Sequence, residues 1–231
     1  MDRRESIVLS WSGGKDSALA LAALRDDPRV EVCALVTSVT RGYDRISIHG
    51  VRRALLHAQA HAVGLPLIEL ELEPQSSNDA YEVAFRSGME VVRTSYPQVR
   101  RIAFGDLFLE DVRDYREALV GTTGLETTYP LWGRPTPALA RDFVDAGFVA
   151  HLVCVDTRQL AAGFSGRVFD HALLADLPPG VDPCGERGEF HTFVSGGPIF
   201  SRPVPVRLGE AVLRENRFAY RDLMPADVGT G

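Results

Sequence analysis

The sequence predicts an α/β protein: a parallel sheet covered by helices, Rossmann-like in layout, followed by a smaller C-terminal α+β unit. Three observations carry that expectation. Short apolar runs alternate with stretches of helical spacing through the first half of the chain, the pattern of parallel strands joined by crossover helices. A glycine-rich turn joins the first apolar run to the first helical stretch. Beyond about Glu126 the texture changes to proline- and glycine-rich segments with short extended runs.

Residues 7–10 form an apolar run ending in a small residue, which reads as a buried parallel strand. Asp16 or Ser17 then opens a helix along 18–24, which Asp26-Asp27-Pro28 stops. A second buried strand is expected over 30–36. The polar stretch 37–47, with Gly42, reads as a loop. Residues 49–63 have helical spacing, with Val51, Leu55, Leu56 and Gln59-Ala60 along them, and Gly64 suits the C-cap. A third strand follows over 67–72. Asn78 is read as the cap of a helix running to about Thr94. The fourth strand, 101–104, ends at Gly105-Asp106, and a helix spans about 111–122.

A soft domain boundary is placed near residue 125, giving a larger N-terminal domain over 1–125 and a smaller C-terminal domain over 126–231. In the second part a helix over about 137–146 leads into a strand over 149–155. Extended runs follow at 190–194 and 204–208.

Composition narrows the function classes. The chain has 231 residues, 45% apolar and 24% charged, which suits one large or two modest globular domains rather than disorder. Its net charge of −6 argues against a broad nucleic-acid footprint, since such domains are usually basic. Cys33, Cys154 and Cys184 are scattered and odd in number, so no disulfide framework or CxxC pair is expected. Cys33 and Cys154 read as buried core thiols, and a reducing cytoplasm fits. The run 7–9 is too short for a signal segment or a membrane span.

The strongest chemical signal is Ser12-Gly13-Gly14-Lys15-Asp16-Ser17 between the first strand and helix. Small residues let successive backbone N–H groups turn inward as an anion-binding nest, and the helix N-terminus adds positive potential. Lys15 supplies a cation, and Asp16 is the candidate ligand for a phosphate-bound Mg²⁺. The loop is not Walker A. Leu9 stands where the first glycine of that motif belongs, and Asp16 follows Gly14-Lys15. In parallel sheets ligands bind beyond the carboxyl ends of the strands, so this loop and Gly105-Asp106 are both expected at the ligand.

A second signal is Asp182-Pro183-Cys184-Gly185-Glu186-Arg187-Gly188-Glu189-Phe190-His191-Thr192-Phe193. Glu189 and His191 are two apart, so on a strand they share a face. Such a group suits metal binding, orientation of an amine or general-base work. The plainer reading is a polar loop leading into an edge strand.

The loop SGGKDS after a first strand resembles the signature of the PP-loop ATP pyrophosphatases, the adenine nucleotide alpha hydrolase-like group. Together with Gly105-Asp106, Pro130-Leu131-Trp132-Gly133 and the late CGERGEFHT, it resembles the diphthine–ammonia ligase family over nearly the whole chain, in order. Trp11, Tyr43-Asp44-Arg45 and His49-Gly50-Val51-Arg52 look like a bacterial-type branch, whose acceptor would be a different carboxylate.

The resemblance implies α–β cleavage of ATP, adenylation of a carboxylate, and displacement of AMP by ammonia or an amine. It implies that Ser12, Gly13, Gly14, Lys15, Asp16 and Ser17, with Ser10 just before them, bind ATP phosphates. Gly105 and Asp106 would lie near the nucleotide. Glu186, Glu189 and His191 would form the substrate side, and Lys15, Asp16, Glu186, Glu189 and His191 are the catalytic candidates. The expected ligands are ATP, Mg²⁺, ammonia or an amine and a carboxylate acceptor on a protein or a small metabolite. No membrane is expected, and a second copy of the chain is a candidate partner.

Sulfur transfer to tRNA and a non-catalytic ATP- or AMP-binding module are the other readings. The first usually needs paired cysteines and a basic surface; the second needs no acidic cluster in its second domain. Arg45, His49, Arg52 and Arg53 form a basic cluster that suits an acidic ligand or a solvated helix face. Trp132 reads as a packing residue, and His57, His61, His151 and His171 as structural.

Overall fold

The computed structural model describes residues 4–42, 45–46, 50–74 and 77–226. His49 of the basic cluster lies outside them. The elements run β1 (Glu5–Ser10), α1 (Lys15–Asp26), β2 (Val30–Thr40), β3 (Arg45–Ile46), α2 (Arg53–Val63), β4 (Leu67–Leu72), α3 (Asn78–Ser95), β5 (Arg101–Ala103), α4 (Glu110–Gly121) and β6 (Glu126–Thr128). Then come α5 (Thr136–Asp145), β7 (Val149–Asp156), a 3₁₀ turn (Ala162–Phe164), α6 (His171–Asp176), β8 (Phe190–Gly196), β9 (Val206–Arg214) and β10 (Phe218–Pro225).

The chain divides into two compact units. The first comprises the chain up to Ser12, Asp16–Ser47 and Leu65–Gly133; the second comprises Gly13–Lys15, Ile48–Gly64 and the chain from Arg134 onward.

In the first unit the parallel strands lie side by side as β4-β2-β1-β5-β6, with β3 antiparallel along the end of β2. The order reverses between β1 and β5, which is the switch point where open α/β sheets bind ligands. β1 is central, between β2 and β5, so Ile7, Val8 and Leu9 are all buried. That explains a continuous apolar run rather than alternation. The core beneath the sheet gathers Val8, Ala34, Val36, Leu70, Phe85, Met89, Val92, Ile102 and Phe104.

Three local expectations change. The polar stretch from Thr37 continues β2 to Thr40 instead of looping. Its ladder is shared with β3 on one side and β4 on the other, so the strand neighbours outweigh the polar composition. The cap of α3 is Ser77, whose hydroxyl accepts from the Ala80 N–H at 3.3 Å; Asn78 is the first helical residue. Cys33 is only half-buried, whereas Cys154 is buried.

The second unit holds the antiparallel sheet β8-β7-β10-β9. Its aromatic core stacks Phe143 on Phe148 at 4.8 Å and sets Phe169 edge-on at 5.4 Å. The run expected over 204–208 belongs to a longer hairpin, β9–β10, turned at Glu215 and Asn216, both with positive φ. α2 also belongs here, burying Leu55, Leu56, Gln59, Ala60, Ala62 and Val63. Arg52 of the basic cluster pairs with Asp222 of β10 at 2.6 Å. Among the described residues no helix is long and apolar enough to cross a membrane.

A Cβ at Gly105 would lie 2.9 Å from the carbonyl carbon and oxygen of Asp16, so backbone must move to admit any side chain. Gly105→Ala is expected to destabilise the protein by about 1–3 kcal/mol, read as a lower urea midpoint at unchanged slope.

Candidate functional site

The loop after β1 contributes Ser12, Asp16 and Ser17 to the first unit and Gly13–Lys15 to the second. In the first unit Ser10 ends β1 opposite Val36. The Ser12 hydroxyl donates to that of Ser17 at 3.2 Å. Asp16 is the acidic residue in the first turn of α1, where the helix end favours negative charge. Gly105 lies against the Asp16–Ser17 backbone. Asp106 is engaged with Arg116, whose Nε lies 3.0 Å from Oδ2 and 3.2 Å from Oδ1. The Arg116 guanidinium in turn sits 4.5 Å from the centre of the Phe104 ring.

The second unit holds the middle of the loop. Gly13 has φ +76°, open to glycine at little cost. Its carbonyl accepts from the Val194 N–H of β8 and from Gln59 Nε2, both at 2.9 Å. Gln59 Nε2 also donates to the Val194 carbonyl at 2.5 Å. The Lys15 N–H donates to Thr192 Oγ1 at 3.0 Å. The buried Lys15 ammonium donates to the Cys184 carbonyl and stands 5.7 Å from the centre of the Phe190 ring.

The stretch 182–189 is a closed loop leading into the edge strand β8. Asp182 Oδ1 accepts from the Cys184 N–H at 2.7 Å, and Oδ2 accepts from the Thr136 hydroxyl at 3.1 Å. Gly185 and Gly188 turn with positive φ. Glu189 is 1% exposed. Its two oxygens accept from the backbone N–H groups of Asp182 at 2.9 Å and Arg187 at 3.0 Å. The carboxylate thus closes the loop across seven residues. Glu186 is half-buried on the same loop.

His191 is the second residue of β8, after Phe190. Burial, and then the charge of Lys15, push its pKa down to about 4. The imidazole is therefore neutral at pH 7, and the same two causes disfavour its protonation. The Cys184 thiol donates weakly to the Thr136 carbonyl at 3.5 Å, and its buried place in the turn speaks for structure.

The second unit therefore brings Gly13, Gly14 and Lys15 together with the 184–192 stretch, while Ser12, Asp16, Ser17, Gly105 and Asp106 group in the first. Sequence reasoning missed Gln59 and Thr192 as partners of the loop. The only sequence signal for Gln59 was a lone amide on the inward spacing of α2.

Among the described residues no group of three or more His, Cys, Asp or Glu could hold a metal ion. Any divalent cation at Asp16 must take most of its ligands from phosphate and water, which is ordinary for Mg²⁺. The single carboxylate fits that mode.

Comparison with known proteins divides the chain contiguously, whereas the compact units place Gly13–Lys15 and Ile48–Gly64 with the C-terminal part. A family model described as the diphthamide synthase N-terminal domain matches residues 4–127, and one described as the diphthamide synthase C-terminal domain matches 135–221. A diphthine–ammonia ligase of Schizosaccharomyces pombe is 25% identical over 217 residues, covering 87% of this chain and 36% of that protein. A diphthine–ammonia ligase of Rattus norvegicus is 25% identical over 227 residues, covering 87% of this chain and 83% of that protein. The chain thus spans 36% of the length of the fission-yeast relative.

Two outcomes follow from the loop. Glu189→Ala leaves two backbone donors without their carboxylate, so a stability loss of about 2–4 kcal/mol is expected, with faster hydrogen exchange at Asp182 and Arg187; Glu189→Gln should lose less. His191 has a folded-state pKa of about 4 against an ordinary 6.5. Between these values the unfolded chain binds more protons, so this stability is present above 6.5 and lost as pH falls toward 4. Burial shifts His151 the same way, but His151 is common to both proteins. A His191→Asn variant should therefore show a flatter stability slope than wild type across that window, by roughly 3 kcal/mol in total.

Proposed function

Because the chain belongs to the diphthamide synthase family, we propose that it is an ATP-dependent amide ligase of the diphthine–ammonia ligase type. A carboxylate oxygen attacks the α-phosphorus of ATP, and pyrophosphate leaves. Ammonia or an amine then attacks the acyl carbon and loses a proton, and AMP leaves. The observation that carries the reading is the tether of Lys15 to the late motif. Its ammonium meets the Cys184 carbonyl and its N–H meets Thr192, across 169 and 177 residues of sequence. The middle of the loop, Gly13–Lys15, is thereby joined to the late stretch within one compact unit.

In this reading the N–H groups of the loop, the start of α1 and the Lys15 ammonium hold the phosphates and balance the charge of departing pyrophosphate. One preorganised donor of that kind is worth about 3–4 kcal/mol. Ser10, Ser12, Ser17, Gly105 and Asp106 complete the nucleotide side. Asp16 holds Mg²⁺, which when bound neutralises phosphate charge. The Glu186 carboxylate accepts the proton shed by the attacking amine, and His191, neutral at pH 7, orients that amine. Glu189, with both oxygens on backbone amides, positions the loop. The acceptor side is the part of the second unit from Arg134 onward.

Incubation with ATP, Mg²⁺, ammonium and candidate carboxylates should yield AMP and pyrophosphate in equal amounts with the amide. Release of ADP and phosphate would sink this reading. Diphthine-bearing elongation factor 2 and small carboxylic acids are compared as acceptors, and the one that stimulates AMP release identifies the substrate. Asp16→Ala is expected to lower turnover by at least about 100-fold while leaving the fold intact by circular dichroism.

A further inference from the structure

Gln59 is 0% exposed on α2. Burying an amide is unfavourable unless its hydrogen bonds are made, and an apolar residue of the same volume would pack there at no such cost. The amide must therefore earn its place through its partners. Its Nε2 bridges the carbonyls of Gly13 and Val194. With the Val194 N–H added, the Gly13 carbonyl has both its lone pairs engaged. The peptide linking Gly13 and Gly14 is trans, so its N–H points opposite to its carbonyl. Turning the Gly13 carbonyl toward α2 and β8 therefore aims the Gly14 N–H the other way. The fit is close: a Cβ on Gly13 would lie 2.6 Å from Gln59 Oε1.

Resting on the nucleotide reading above, we propose that Gln59 is a positioning residue for the phosphate loop: it fixes the Gly13–Gly14 peptide so that the Gly14 N–H faces the β- and γ-phosphates of ATP. It does not touch substrate. It selects which face of the loop presents donors, and so sets the preference for a triphosphate over a monophosphate.

The test measures ATP and AMP affinities by titration calorimetry for wild type, Gln59→Met and Gln59→Glu, with thermal unfolding alongside. Both variants keep the side-chain length and remove the amide donors. The expected result is ATP binding weakened about tenfold or more, AMP binding within about twofold of wild type, and a cooperative unfolding transition in each variant. Equal weakening of both nucleotides, an unchanged ATP-to-AMP ratio, or loss of the folded state in both variants would each overturn the positioning role. A wild-type protein that binds ATP no more tightly than AMP would overturn the nucleotide reading itself, before either variant is compared.

Discussion

A pair of glycines has no side chains with which to pack, so the position of Gly13 and Gly14 depends on what their backbone groups meet. Here the partner is β8, an edge strand of the second sheet. An edge strand leaves one row of N–H and C=O groups without a neighbouring strand. At Val194 both of those groups are taken, the N–H by the Gly13 carbonyl and the C=O by Gln59. The loop thus covers part of an edge that would otherwise need water or another strand. Its conformation is tied to the register of β8 against β7, where Val194 lies opposite Ala150.

The dependence runs further back. β8 is entered from the 182–189 loop, and that loop is closed by a carboxylate rather than by a sheet ladder. A charged acceptor with two backbone donors is stronger than a neutral one, and burial at Glu189 removes competition from water. Lys15 then joins the Cys184 carbonyl of the same loop. Its charge acts on His191 in the same direction as burial does, and both favour the neutral imidazole. One buried cation thus anchors the loop and adds to the burial that keeps its neighbour neutral.

The parallel sheet and its strand–turn–helix opening were legible in the sequence for a physical reason. A central strand is buried on both faces, so Ile7, Val8 and Leu9 form an unbroken apolar run, and a glycine turn after it has few other uses. The SGGKDS and CGERGEFHT stretches stood out in the sequence because they crowd charged groups where turning needs none. What was not legible is which groups meet. Glu189 reads as an acid available to substrate, and only the fold reveals the two backbone N–H groups that occupy it. Gln59 counts as one polar residue on an inward helix position, which periodicity treats as noise. The hairpin β9–β10 was hidden because β9 is largely exposed along its length, so it lacks the alternation that marks a half-buried strand.

α2 shows how apolar and polar contacts divide the work. Its N-cap residue, Arg52, makes no side-chain capping bond, so the start of the helix draws no support of that kind. What holds it is the apolar face of Leu55, Leu56, Ala60, Ala62 and Val63, all buried. At about 25 cal/mol per Å² that face outweighs any single polar contact the helix makes. The Arg52–Asp222 pair is partly exposed, and pairs of that kind contribute little to stability. An apolar face alone would tolerate small rotations of the helix about its axis. Two directed contacts remove that freedom, Arg52 to β10 at the start and Gln59 to Gly13 and Val194 two turns later. Burial keeps α2 in place, and these contacts set its rotation, so the amide that meets Gly13 points where the loop requires it.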